Sequence, residues 1–184
     1  MPLEHFLSTF HWQSRFSCEA DAPPQFCYDA MACSPINVGM VKLLIRMRGM
    51  DAGGTLTEFF RTNGFTILEE LPPHQIVVGL IAKPWRWDGG KDCPPAGEWN
   101  TDGYGGFAKI VAEFKVEQMD EHRCRLSTET RVRVDERSSR WKFALYWMLV
   151  KPFSNLIRRQ WLRQAKRLAE ERYRSHHQYK TGRS

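Results

Sequence analysis

Six histidines, five cysteines and 21 carboxylates are the groups in this 184-residue chain that could carry acid–base, nucleophilic or metal chemistry. Their spacing assembles none of the familiar constellations. His5, His11, His74, His122, His176 and His177 are scattered, and no serine or cysteine is tied by sequence to a base. Cys18, Cys27, Cys33, Cys93 and Cys124 are odd in number and contain no C-x-x-C pair, so neither a disulfide framework nor a zinc site is expected. They read as small buried apolar residues. Asp88, Asp92, Glu98 and Asp102 cluster in a Pro/Gly-rich stretch, where a general acid or base beside an entrance competes with the plainer reading of solvated loop carboxylates. Gly103-Tyr104-Gly105-Gly106 has neither the spacing nor the following helix of a phosphate loop. No catalytic residue can be named, and no metal or cofactor is expected.

Binding has better candidates than catalysis. A ligand cavity needs large apolar walls with a few polar groups to orient the guest. Trp12, Phe16, Ile110, Phe114, Thr128, Thr130, Trp147 and Ile157 fall on faces that point inward and form the expected lining. An aromatic stripe at regular spacing is also what a packed core looks like. Thr128 and Thr130 are the more informative pair, because hydroxyls on a dry face need partners. Glu129 and Arg131 fall on the opposite, wet face by parity, as a structural salt bridge.

The elements that must position these residues are legible from periodicity. Phe10 to Ala20 alternates with period two, a half-buried strand. Asp21-Ala22-Pro23-Pro24 then starts a short helix through Phe26, Cys27 and Met31, and Ser34-Pro35 starts a second that Gly49 ends. Thr55 and Glu58 have capping-box spacing for another short helix, stopped by Asn63-Gly64. Phe65 to Leu71 and Gln75 to Ala82 read as antiparallel strands joined by Pro72-Pro73-His74, and 83–106 as a long loop or short strands. Ala108 to Val116 and Leu126 to Val134 alternate cleanly, each with one wet and one dry face. Asp135 is the expected cap of a final helix from about Ser138 to Arg174, kinked at Pro152, with a disordered tail over 175–184.

Composition bounds the classes. With 42% hydrophobic and 12% aromatic residues the chain is ordinary globular material, read as one domain over 1–174. No apolar run reaches the roughly 20 residues of a membrane span, and the N-terminus lacks a signal peptide's basic start, so a cytoplasmic location is expected. Residues 137–184 hold 13 Lys/Arg and 2 acidic residues, +11, against 14 basic and 19 acidic upstream, −5. On a long helix this is an ordinary solvated face, though it would also suit anionic surfaces.

The order of elements predicts an α+β fold in which a curved antiparallel sheet wraps the long C-terminal helix, with two short helices after the first strand. Leu126-Ser127-Thr128-Glu129-Thr130-Arg131-Val132, Phe143, Tyr146-Trp147, Lys151 to Arg159 and Ala169-Glu170 carry a closer likeness. On these residues, with weaker support from Ala22-Pro23-Pro24, Leu44 to Gly49 and Gly79, the chain between about residues 10 and 170 resembles an uncharacterised branch of the SRPBCC superfamily, the START-like and polyketide-cyclase-like proteins. The resemblance implies a helix-grip fold of about seven strands, of which five are recognisable here. It also implies a cavity between sheet and helix for a lipid-, sterol- or polyketide-like molecule. The expected function is therefore binding of a small hydrophobic molecule in a carrier or sensor role. Two alternatives stand beside it: a polyketide cyclase or dehydratase using the same cavity, and a basic module for anionic membranes or nucleic acid. No nucleic-acid partner is expected on the leading reading.

Overall fold

The computed structural model describes residues 3–34, 54–86, 99, 104 and 106–181. Local signals set most element boundaries. Strand β1 (Trp12–Ala20) follows the period-two run, and Pro24 occupies the first turn of α1 (Pro24–Cys33), where its missing N–H costs nothing. Helix α2 (Leu56–Thr62) opens with the expected capping box: Glu58 N–H donates to Thr55 Oγ1 at 3.3 Å, and Thr55 N–H donates to Glu58 Oε2 at 2.8 Å. Gly64, at φ 79°, turns the chain out of it. Strands β2 (Thr66–Leu71), β3 (Gln75–Ala82), β4 (Ala108–Gln118) and β5 (Cys124–Val134) follow, and then helix α3 (Arg137–Thr181). The helix expected after Ser34-Pro35 and the carboxylates Asp88, Asp92, Glu98 and Asp102 lie outside the described residues.

The strands form one antiparallel sheet in the order β1-β5-β4-β3-β2. Its inner face carries α3, with α1 packed against the helix. An α+β sheet gripping a long terminal helix is the helix-grip arrangement, with five strands among the described residues.

Three corrections arise at the sheet and the helix. The outer face is wet only in part: it is exposed along β1 at Gln13, Arg15, Ser17 and Glu19, but every residue of β3 is buried, as are all but two of β5. Leu3, Phe6 and Leu7 from the N-terminal segment, together with Trp99, cover Val77, Ile81 and Val111 there. Gly79 permits this cover, because a Cβ at that position would meet the Trp99 ring at 2.5 Å. Asp135 does not cap α3 but holds Arg133 at 2.6 Å; Glu136 instead accepts the side-chain hydroxyls of Ser138 and Ser139. Finally, α3, which includes Pro152 as expected, extends past Arg174 to Thr181. Its last turns have anchors, since Tyr173 bonds His122 and His177 at 3.0 Å each and Phe26 packs against His176.

Candidate functional site

Register explains why the inner face is hollow. Three rows of side chains cross the sheet side by side. Trp12, Val132, Ile110 and Leu80 form one, and Phe16, Thr128, Phe114 and Ile76 another. Between them runs a row of small residues, Ser14, Thr130, Ala112 and Val78. Two bulky rows flanking a small one make a trough, and a helix laid over bulky neighbours cannot reach its floor. Close packing would demand larger side chains there.

The result is a cavity of about 430 Å³. It separates two inner clusters of apolar residues, one built on Phe60, Phe114 and Trp161 and one on Val132 and Phe143. Nine of its twenty lining residues are aromatic. Rings meet edge-on at Phe114 and Trp161 (5.1 Å) and stack at Phe143 and Trp147 (5.8 Å), so the walls are braced by their own contacts. Polar atoms enter at few places, chiefly Thr130 from the floor and Ser154 and Arg158 from the helix.

Arg158 is the charged lining residue that sequence reasoning missed. Its Nη1 donates to Ser14 Oγ at 2.7 Å and its Nη2 to Thr130 Oγ1 at 2.5 Å, which ties the helix to the small-residue row. No carboxylate pairs with it among the described residues. Loss of hydration therefore acts unopposed, and the guanidinium is pushed down to about 10. The signal was present in the helical phase: Arg158 shares the inward face with Val150, Ser154 and Trp161, whereas a scan of charge alone files it with its exposed neighbour Arg159.

Of the eight expected lining residues, Ile110, Phe114, Thr130, Trp147 and Ile157 reach the cavity. Trp12, Phe16 and Thr128 do not. Trp12 packs on Phe143, with ring centroids 4.6 Å apart, and Arg159 covers the Phe16 ring at 5.1 Å. Thr128 sits in the bulky row between Phe16 and Phe114, and its buried Oγ1 has no hydrogen-bond partner among the described residues. Residue parity selects a face correctly but not the position along it where the helix lifts away.

The remaining chemistry-bearing residues lie elsewhere. Cys27 and Cys124 are buried, Cys18 is partly so and Cys33 is exposed; burial pushes the Cys18, Cys27 and Cys124 thiols up. On the outer face, Glu129 and Arg131 are buried rather than solvated. Arg131 Nε donates to Glu129 Oε1 at 2.7 Å and its Nη2 to Glu4 Oε1 at 2.7 Å, and Gln13 Nε2 donates to Glu129 at 2.8 Å. On α3, Trp141, Leu145, Met148, Leu149, Phe153 and Leu156 form an exposed apolar stripe, with Met148 65% and Leu149 69% accessible. Exposed aromatics thus do accompany the basic residues of this helix. No helix among the described residues is long and apolar enough to cross a membrane.

No family model matches the chain, and no curated protein does. Three solved structures are similar in overall shape. A conserved protein from Geobacillus kaustophilus is 8% identical, with 87% of this chain and 96% of that one covered, at a TM-score of 0.45. A protein from Chromobacterium violaceum is 14% identical, covering 86% and 97%, at 0.40. The Zhui aromatase/cyclase from Streptomyces sp. R1128 is 11% identical, covering 88% and 94%, at 0.34. Nothing about ligand or chemistry passes from them to this chain. Strand order, register and the gripped helix, all in its own coordinates, make this an α+β helix-grip protein.

Proposed function

We propose that the chain binds a small apolar molecule in the cavity between sheet and α3, as a carrier or sensor. The observation that carries this reading is the trough: about 430 Å³ of space floored by Thr130 and Ala112 and walled by aromatic rings. Spaces of roughly 300–1,000 Å³ with apolar walls and a few polar groups are the usual form of small-molecule sites. Among the described lining residues there is no Asp, Glu, His or Cys. With Tyr146 the one phenol among them, this short supply of groups suited to proton transfer near neutrality favours a carrier over a cyclase or dehydratase. A basic module for anionic surfaces gains the exposed Trp141 and Phe153 but leaves the trough without a purpose.

Titration with the fluorophore N-phenyl-1-naphthylamine, alongside native mass spectrometry of the purified chain, tests the reading. Saturable uptake of one molecule per chain with quenching of tryptophan emission is expected, and Ala112→Phe, which fills the floor, should abolish it. Wild-type protein that takes up no probe, or an Ala112→Phe variant that binds as well as wild type, overturns the proposal.

A further inference from the structure

We infer that the cavity selects an apolar acid and that Arg158 holds its carboxylate, an assignment that rests on the cavity reading above. A guanidinium has five N–H donors and no acceptor. Two of Arg158's are used, on Ser14 Oγ and Thr130 Oγ1. Both partners are hydroxyls that accept from Arg158 and still carry a hydrogen each. The polar end of the cavity is therefore rich in donors and poor in acceptors.

Nothing nearby in sequence corrects this imbalance, because the segment from Arg137 to Ala169 contains nine Lys/Arg and no Asp or Glu. A cation at an apolar wall with no counter-charge among the described residues is an expensive arrangement, and an anionic guest relieves it. The planar guanidinium matches a carboxylate with two parallel hydrogen bonds, and Ser14 and Thr130 anchor Nη1 and Nη2 while three N–H groups, that of Nε included, remain for it. The rest of the lining is apolar, which suits one charged group at one end of a hydrocarbon or ring system. The positions of the two hydroxyls on adjacent strands, paired directly in the register, fix the direction in which Arg158 reaches.

Calorimetric titration with two matched pairs tests this: dodecanoic acid beside dodecanol, and anthracene-2-carboxylic acid beside 2-hydroxymethylanthracene. In wild type, at least one acid should bind tenfold or more tightly than its alcohol, and the pair that binds tells chain from ring. Arg158→Met should bring the acid down to the alcohol's affinity while the alcohol changes less than about twofold. Thr130→Val, close to isosteric, should lower the acid preference a few-fold and keeps the test open should Arg158→Met not fold. Equal binding of acid and alcohol in wild type, or a preference that survives in Arg158→Met, overturns the role of Arg158 alone. Binding by neither member of either pair, with no fluorophore uptake, overturns the cavity reading and this inference with it.

Discussion

Arg131 and Arg158 meet strand β5 at neighbouring positions from opposite faces, and their surroundings could hardly differ more. On the outer face Arg131 is enclosed. Burial alone would pull it down, yet hydrogen bonds to Glu4 and Glu129 outweigh that and hold it above its ordinary value. On the inner face Arg158 has, among the described residues, only the hydroxyls of Ser14 and Thr130, and its hydration is lost without a carboxylate to offset it there. One arginine is a completed structural clamp, fastening the N-terminal segment over the sheet. The other has no carboxylate partner among the described residues. Packing repeats the contrast, since Trp99 fills the outer face down to Gly79 whereas Trp147 faces a void.

The contrast breaks if the two faces respond alike to truncation. Trp99→Ala removes a ring that is 1% accessible, donates to Phe6 O at 3.1 Å and lies under Lys109. It should cost about 4 kcal/mol, whereas Trp147→Ala, whose ring already borders space, should cost about 1 kcal/mol. Urea unfolding of both variants measures the difference, and equal losses would mean that the inner face is as tightly packed as the outer.

Charge sharpens the comparison next. Among the described residues, Arg131→Met leaves buried Glu129 with Gln13 and with a mostly exposed Arg15 at 3.8 Å, and should lose about 3 kcal/mol. Arg158→Met strands no carboxylate among the described residues and should leave the unfolding midpoint unchanged or higher. A large loss for Arg158→Met would show that its hydrogen bonds to Ser14 and Thr130 are a structural necessity.

The smallest expected effect concerns Glu113, which faces Glu129 across the β4–β5 pair. Burial raises its carboxyl above the usual range; Lys115 opposes the shift and Glu129 adds to it. A carboxyl whose folded pKa exceeds its unfolded one binds protons more readily when folded. Its ionisation thus opposes folding at neutral pH, and the penalty disappears as pH falls below the unfolded value of about 4. Glu113→Gln should raise Tm by about 2 °C at pH 7. The gain should fade on acidification, and a gain that persists at pH 3 contradicts the assignment.

Much of the architecture was readable in advance because local rules agreed with one another. Alternation placed β1, β4 and β5, the Thr55/Glu58 box placed α2, and Pro24 placed α1. What alternation could not reveal was a second cover. A half-wet face and one covered by Leu3, Phe6, Leu7 and Trp99 carry the same period-two pattern in β4 and β5. The clue lay in β3, where Ile76 to Ala82 is apolar at every position except Gly79, the signature of a strand buried on both faces. The cavity was legible as a face but not as a place. Trp12, Phe16 and Thr128 share that face with Thr130, and only the lateral register separates the bulky rows from the small one. Arg158 was hidden by its basic neighbours, because a count of charges discards helical phase.

Strand β1 pairs with β5, so that Trp12 faces Val132, and Ser14 is tied to Arg158 beyond it. A ribosome delivers these partners far apart in time. Contacts so distant along the chain slow the search for the native state. Until β5 has emerged the β1 edge lacks its neighbour, and until α3 has emerged the trough has no roof. The space between sheet and helix is therefore among the last of the described features to close during synthesis.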